Sequence, residues 1–195
     1  MTERGAANDY RRRLMEGMSA AVAERGYADT TIADIVRHAH VSRRTFYEQF
    51  ASKEACLLAL YVAASERVIR AIAAAVETSA DRETQIARAT ETYLERMQAH
   101  PVLTRTLFLE ILAAGPAGLQ VRREINARYA ELFRGVVESN GGRLSPALAA
   151  AAVGGINELI LQAVLDDRAA QLTDLAVPVS QLLRAVLSAG SADGG

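Results

Sequence analysis

Five side chains between positions 43 and 49 have the chemistry and the spacing to contact a nucleic acid. They lie in a segment long enough for a helix of about two turns, and the outward positions are Arg43, Arg44, Thr45, Tyr47 and Gln49. An arginine can fork onto O6 and N7 of guanine, and a threonine methyl can meet the thymine methyl. A tyrosine hydroxyl and the free amides of a helix N-terminus suit phosphate oxygens. The pattern therefore indicates contact with the major groove of duplex DNA.

Three nearby residues complete the predicted DNA-binding set. Ser42 is expected to cap the helix that carries the five side chains, and Thr31 to cap the helix before it. Lys53, the only lysine of the chain, opens a later helix, where its charge opposes the helix dipole. A phosphate partner is therefore expected for it. Surface arginines are often merely solvated, and this alternative stays open for the two arginines taken alone.

The elements that must position these side chains are helices. Ala and Leu are abundant, prolines number only four, and no long alternating run of β-branched residues occurs. This usage favours helix throughout. Two short helices, over 32–39 and 43–50, are joined by a turn of the length found in a helix-turn-helix. His40 lies in that turn.

The fold class predicted for the whole chain is all-α, with about nine helices. Besides the two short helices, periodicity and breakers place helices over 9–25, 53–79, 81–100, 102–114, 117–139, 145–167 and 173–189. They are expected to form a three-helix helix-turn-helix DNA-binding domain over 1–52 and a helical effector-binding and dimerisation domain over 53–190. Residues 191–195 are expected to form a flexible tail.

Composition narrows the class of protein further. Half of the 195 residues are hydrophobic and 23% are charged, which indicates a globular chain with a real core. The net charge of −1 does not by itself favour a nucleic acid, but binding depends on where charge is clustered. No apolar run is judged to reach the roughly 18 residues of a membrane span. The sequence therefore predicts a cytoplasmic protein with no membrane partner.

Other chemistry finds little support in the sequence. His38 and His40 lie on different helix faces with no third ligand nearby, so no metal site is predicted. Cys56, the only cysteine, is expected in the core, with redox sensing as the alternative. Motifs of phosphate loops, zinc proteases and serine hydrolases are absent. The chain is therefore predicted to be neither an enzyme nor a protein with a cofactor.

The segment over 30–60, TTIADIVRHAHVSRRTFYEQFASKEACLLAL, resembles the DNA-binding region of the TetR family of transcriptional regulators. Shared features are the paired threonines, the I-x-x-I-V-x-x-A core, V-S at the turn, T-F-Y on the recognition helix and F-x-S-K-E at the next helix. Agreement extends upstream to Arg25-Gly26-Tyr27. His40 departs from the pattern, because the family commonly has glycine in this turn. The resemblance thus implies a positive φ angle for His40, which histidine tolerates. The resemblance also implies a phosphate contact for Lys53.

The resemblance implies a homodimeric regulator, more often a repressor, that binds a palindromic operator and responds to a small molecule. A pocket for a hydrophobic or amphipathic effector is predicted at Tyr93, Met97, Phe108, Glu110, Tyr129, Phe133 and Asn157. The segment 145–167 is apolar on nearly all sides, which requires burial on two sides. A dimer interface is therefore predicted at Ile156, Ile160, Val164, Val179, Leu182, Leu183 and Val186. The alternatives are control by a partner protein without a small-molecule pocket, and an all-helical enzyme with a vestigial DNA-binding head.

Overall fold

The computed structural model describes residues 3–78 and 81–192, with side chains from residue 7 to residue 189. Within these ranges the chain forms helices and no strand, so the all-α prediction is confirmed. In chain order the α-helices are α1 (Glu3–Asp29), α2 (Ile32–Ala39), α3 (Arg43–Gln49), α4 (Lys53–Glu77), α5 (Arg82–Gln98), α6 (Pro101–Arg105), α7 (Ile111–Ala113), α8 (Gly115–Ser139), α9 (Pro146–Leu165) and α10 (Ala176–Ala192). A π-helical segment, Thr106–Glu110, joins α6 to α7, and a 3-10 turn, Leu172–Leu175, precedes α10.

The first helix is broken at Gly26. This residue has φ 75° and ψ 162°, a conformation that is open to glycine and strained for other residues. The helix was expected to end here, and the helical assignment instead resumes beyond the break as far as Asp29. It also begins at Glu3, six residues before the expected start. The break leaves backbone groups that need partners from elsewhere in the chain.

Helices α1 and α2 cross at Gly17. A Cβ at this position would lie 2.6 Å from the carbonyl oxygen of Ile35 and 2.9 Å from the backbone nitrogen of Ala39. Only glycine permits so close an approach. Next to the crossing, the side chains of Leu14, Ile35 and Phe46 are completely buried. They form the core that fixes α3 against the other two helices.

The turn between α2 and α3 has the backbone predicted for it. His40 adopts φ 52° and ψ 47°, in the left-handed region. Its N–H donates to the carbonyl of Arg37 at 3.3 Å, and the N–H of Val41 donates to that of Val36 at 3.1 Å. These bonds satisfy the last carbonyls of α2, as in other left-handed helix ends. The expected positive φ of His40 is therefore confirmed.

By packing, the chain divides into two compact units. The first unit comprises Met1–Ala64 together with Arg105–Val121, and the second comprises Ser65–Thr104 together with Arg122–Gly195. The π-helical segment thus belongs to the unit that contains the helix-turn-helix. The division into a DNA-binding domain over 1–52 and an effector-binding domain over 53–190 concerns function, not packing, and stays a prediction.

Helices α5, α8, α9 and α10 build the core of the second unit around Ile86, Val136, Ala152 and Val179. Ser145 caps α9, since its Oγ accepts the N–H of Leu148 at 3.2 Å. By length and composition, Pro146–Leu165 and Leu172–Ala189 could both cross a membrane. The expectation that no apolar run reaches that length is therefore wrong. A helix that serves as the core of a globular domain meets the same criteria, and 39% of the first segment is buried.

The last helix begins late and ends late. Pro178 lies in the first turn of α10, where its missing N–H breaks no helical bond. The helix continues to Ala192, so its end includes the first two residues of the predicted tail. The remaining residues of that tail, 193–195, lie outside the described residues.

Candidate nucleic-acid interface and effector cavity

Ser42 fixes the N-terminus of α3. Its Oγ accepts the backbone N–H of Thr45 at 3.0 Å and shares a hydrogen bond of 2.9 Å with the Thr45 hydroxyl. The N-cap predicted from the sequence is therefore confirmed. Phe46 is completely buried on the inner face of the helix. Because its ring is anchored there, the opposite face of α3 points to solvent.

The outer face of α3 carries the residues that were predicted to contact DNA. Arg43 and Arg44 are exposed, and Tyr47 is 60% exposed. Thr45 and Gln49 are half-buried. Arg44 donates from Nε to Glu48 at 3.0 Å, but its side chain is 89% exposed, so water weakens this pair. Three of the five side chains are thus available to a ligand on one helix face.

Two arginines of α1 close the C-terminal ends of the short helices. Arg13 donates to the carbonyl oxygens of Ala39 at 2.7 Å and His40 at 2.8 Å, at the end of α2. Arg11 donates to the carbonyl of Gln49 at 3.0 Å, at the end of α3. A cation is favourable at both places, since carbonyl groups and the negative end of the helix dipole meet there. These arginines therefore hold the helix-turn-helix together.

Lys53 does the same for α1, so the ammonium for which a phosphate partner was expected has partners within the chain. Its Nζ donates to the carbonyl oxygens of Tyr27 at 2.8 Å, Ala28 at 3.3 Å and Thr30 at 2.8 Å. It also lies 4.3 Å from the centroid of the Tyr27 ring. An ammonium has three N–H donors, and all three are used within the chain. The partners precede Lys53 by more than 20 residues, so the local sequence gives no sign of them.

Thr31 caps α2 as predicted, and together with Asp34 it forms a capping box. Thr31 Oγ1 accepts the N–H of Asp34 at 3.2 Å, and the Asp34 carboxylate accepts the Thr31 N–H at 3.0 Å. Hydrogen bonds from the side chain and then the backbone of Thr31 lower the pKa of Asp34 below its ordinary value. Thr31 is exposed, but its polar groups serve the cap. Its contact with DNA stays a prediction.

The remaining charges near the helix-turn-helix are mostly paired. Arg12 bridges Asp9 and Glu16, at 2.6 and 2.8 Å. Arg37 lies 3.5 Å from Glu24. Among the arginine side chains described in residues 7–60, only Arg43 makes no ion pair or hydrogen bond. Within the described part of residues 7–60, the arginine without an internal partner therefore lies at the N-terminus of α3.

An apolar cavity of about 90 Å³ lies within the second unit. Its polar lining residues are Thr90, Tyr93, Tyr129 and Asn157. Aliphatic and aromatic residues supply the rest of the wall: Ile72, Ile86, Ala89, Leu132, Phe133, Val136, Ala152, Val153, Ile156, Val179 and Leu183. Four of the seven predicted pocket residues thus line one cavity, namely Tyr93, Tyr129, Phe133 and Asn157.

The other three predicted pocket residues do not line this cavity. Met97 is buried beside Thr104, whose hydroxyl donates to the Met97 carbonyl at 2.7 Å. Phe108 and Glu110 lie in the π-helical segment of the first unit. There the Glu110 carboxylate accepts the backbone N–H of Tyr27 at 3.0 Å, next to the break at Gly26. The sequence predicted 102–114 as one α-helix of the effector domain. In the structure this segment is not one α-helix, and its residues from Arg105 onward pack in the first unit.

The polar groups of the cavity are hydrogen-bonded within the second unit. The Tyr93 hydroxyl donates to Asn157 Oδ1 at 3.4 Å, and Asn157 Nδ2 donates to Asn126 Oδ1 at 3.1 Å. The Thr90 hydroxyl donates to the carbonyl of Ile86 at 2.9 Å. Because these groups are satisfied, the surface offered to a ligand is chiefly apolar.

Sequence reasoning missed several lining residues, although their spacing was visible. Ile86 and Thr90 share a helix face with Tyr93, at separations of seven and three residues. Val136 shares a face with Tyr129 in the same way. A search for buried polar residues on such faces would have found Thr90, which is 5% exposed.

The predicted interface residues lie mostly inside the second unit. Those that are buried in its own core are Ile160, Val164, Val179 and Leu183. Those that are half-buried are Ile156, Leu182 and Val186. A buried side chain has no surface left for a second copy. The exposed large apolar residues on α9 and α10 are instead Leu165, at 60%, and Val177, at 66%.

Cys56 lies completely buried in the first unit, as its apolar surroundings in the sequence predicted. Burial raises the pKa of its thiol to about 12. Since the thiolate is the reactive form, this cysteine is unsuited to redox sensing. Over residues 3–78 and 81–192, no group of three or more His, Cys, Asp and Glu side chains is placed to hold a metal ion.

The fold and the exposed face of α3 define an all-helical protein with a helix-turn-helix head. Residues 18–60 match the family model for bacterial regulatory proteins of the tetR family. The helix-turn-helix part of the chain is therefore similar to regulators of the TetR family.

A relative of known name shares this similarity over a longer stretch. The HTH-type transcriptional regulator EthR of Mycobacterium tuberculosis is 30% identical over 110 residues, which cover 53% of this chain and 49% of EthR. The chain thus spans about half the length of the curated relatives it matches.

Two solved structures share the fold. The transcriptional regulator FadR of Bacillus subtilis, in complex with stearoyl-CoA, has a TM-score of 0.79 and 21% identity, covering 88% of this chain and 96% of FadR. The fatty acid degradation regulator FadR of Bacillus halodurans has a TM-score of 0.79 and 22% identity, with the same coverage.

Proposed function

We propose that this protein is a transcriptional regulator that reads an operator through α3. The observation that carries the proposal is the arrangement of cations around the helix-turn-helix. Arg11, Arg13 and Lys53 are bonded to helix ends, whereas Arg43 and Arg44 point outward from a capped helix N-terminus. Within the described residues, Arg43 has no internal partner that explains its outward placement. A regulator of this kind is not an enzyme.

Each exposed residue of α3 has a role that its chemistry suits. Arg43 and Arg44 reach guanine edges, where a bidentate pair discriminates between bases. Tyr47 donates its hydroxyl to a phosphate, and the amides near Ser42 offer a second phosphate contact. Thr45 and Gln49, which are half-buried, make shorter contacts if the helix enters the groove deeply. Lys53 is outside this set, because it holds the end of α1.

The protein acts as a cytoplasmic homodimer on a palindromic operator, and its effect is repression. A two-fold dimer presents two recognition helices related by symmetry, so its operator mirrors that symmetry. Helices α9 and α10 form the interface. The exposed apolar side chains of Leu165 and Val177 support this placement, since a monomer gains nothing from exposing them.

The cavity of the second unit is the effector site, for a hydrophobic or amphipathic small molecule. Its apolar lining supports that class of ligand. FadR of Bacillus subtilis, which shares the fold, is a regulator seen in complex with stearoyl-CoA. Regulation requires two states of the protein that differ in their affinity for DNA. It is sufficient that the effector binds one of these states more tightly than the other.

One observation favours the second candidate, control by a partner protein. The cavity of about 90 Å³ is well below the roughly 300–1,000 Å³ of common ligand sites. A thermal-shift screen distinguishes the two. Stabilisation by apolar or amphipathic compounds supports the effector site, whereas stabilisation only by small polar metabolites contradicts it.

Selection from a random duplex library, at stated salt, tests the DNA-binding proposal. Enrichment of a palindrome by the wild-type protein is the expected outcome, and its half-site spacing measures the separation of the two recognition helices. Binding without enrichment, which simply fades as salt rises, would show phosphate contact alone and contradict sequence-specific reading.

A further inference from the structure

Beside the apolar cavity, the second unit has a surface groove that contains two arginines. The groove has a volume of about 340 Å³. Its lining comes from the start of α5 and from α10: Arg82, Glu83, Ile86, Ala87, Ser180, Arg184, Leu187 and Ser188. Two positive charges and one negative charge leave a formal charge of +1. The groove therefore contains charged side chains with a net positive charge, in contrast to the cavity.

Ile86 lines both the groove and the cavity. Its side chain is 8% exposed and packs in the core with Val136 and Val179. One side chain thus stands between an apolar space and a cationic one. This juxtaposition suits a molecule with an apolar chain at one end and an anion at the other, because apolar walls bind and a few polar groups orient.

Both arginines have donors available to an anion. Arg184 pairs with Glu83 at 2.9 Å, but the two side chains are 64% and 78% exposed, so the pair is weak in water. A guanidinium has five N–H donors, of which this pair uses few. Arg82 is exposed and makes no ion pair or hydrogen bond within the described part of the chain. Two guanidinium groups on one groove match a carboxylate or a phosphate.

We propose that the effector is an anionic amphiphile. Its apolar chain occupies the cavity, and its carboxylate or phosphate is bound by Arg82 and Arg184. The inference rests on the effector site proposed above and adds the chemical class of the ligand. Glu83 acts against the anion, since it competes for Arg184.

Calorimetric titration of the full chain with octanoate and with octanol tests the proposal. Octanoate is expected to bind about five- to tenfold more tightly, as one well-placed charge contact provides. The double variant Arg82→Ala/Arg184→Ala loses this preference and still binds octanol. Arg88→Ala is the matched control, because Arg88 lies on α5, pairs with Glu91 and lines neither space. It retains the preference.

A second variant is expected to change octanoate affinity in the opposite direction. Glu83→Gln is expected to strengthen octanoate binding and to leave octanol binding unchanged, because it frees Arg184. Octyl phosphate, compared with octanoate, identifies the preferred head group. Equal binding of octanoate and octanol, or a preference that survives in the double variant, overturns the anionic head while the apolar effector site stands. If none of these ligands binds, both the head group and the effector site are rejected, and the DNA-binding proposal is unaffected.

Discussion

The Glu110 carboxylate accepts the backbone N–H of Tyr27 at 3.0 Å, across 83 residues of sequence. The bond forms beside Gly26, where α1 breaks with φ 75°. At a break, an N–H group has lost its helical partner and needs another acceptor. The π-helical segment supplies that acceptor, so it completes the unit that holds the reading helix.

Replacing Glu110 should therefore weaken the first unit. Glu110→Ala is expected to lower the free energy of unfolding by about 1–3 kcal/mol, the usual loss for a bond to a charged group in a partly buried place. Urea denaturation measures the change. Glu95→Ala is the control, since Glu95 is exposed and its side chain makes no bond in the described residues. Equal effects of the two variants would show that the Tyr27 bond contributes nothing.

Replacing Lys53 distinguishes a structural role of its side chain from a contact with DNA. Lys53→Met keeps the aliphatic stem and removes all three donors, so it should lower the free energy of unfolding by about 1–3 kcal/mol. The slope of DNA affinity against salt concentration should stay unchanged, because no phosphate contact is lost. Stability is measured by urea denaturation and the slope by fluorescence anisotropy with labelled duplex. A shallower slope with unchanged stability would restore the phosphate role.

Much of the helix-turn-helix follows from local sequence. The core positions Ile35 and Phe46, the cap at Ser42 and the left-handed His40 each depend on a few neighbouring residues, and each can be predicted from them. The partners of Lys53 cannot, because a carbonyl 26 residues away is brought to it only by the packing of α1. The periodicity of a segment indicates which face of its helix is apolar. It does not indicate which part of the chain packs against that face.

The same limit explains the errors over 102–114 and in the second unit. The segment 102–114 reads as one amphipathic helix, and nothing in its composition marks the π-helical turns or their place in the first unit. In α9, apolar residues on nearly all sides suggested burial against a second copy. Residues such as Ile160 are buried in the protomer instead, and a sequence cannot distinguish the two kinds of burial.

The capping box predicts a dependence of stability on pH. The pKa of Asp34 is lowered from its ordinary value of 3.8 in the folded protein by the bonds from Thr31. A carboxyl with a lowered folded pKa contributes stability above its unfolded pKa, and the contribution is lost as the pH falls through the folded value. The difference in unfolding free energy between wild type and Asp34→Asn should therefore shrink as the pH falls below 3.8. Asp29→Asn serves as the control, and a difference that stays constant with pH would contradict the assignment.

Cys56 should be chemically silent in the folded protein. Its thiol is completely buried and its pKa is raised to about 12, so thiolate is scarce and inaccessible at neutral pH. A colorimetric thiol reagent should react only after urea is added. Ala51→Cys provides an exposed thiol on the same unit as the positive control. Rapid reaction of the native wild-type protein would instead revive the redox alternative.

The most direct test of the central claim compares two arginines on the same duplex. With the selected operator at fixed salt, Arg43→Ala should weaken binding by about fivefold or more, as expected for loss of a base contact of about 1–3 kcal/mol, and should relax specificity at one base pair. Arg12→Ala removes an arginine of the same unit that is already paired with Asp9 and Glu16, and should bind as wild type does. Equal affinities for wild type and Arg43→Ala would contradict the claim that α3 reads the operator.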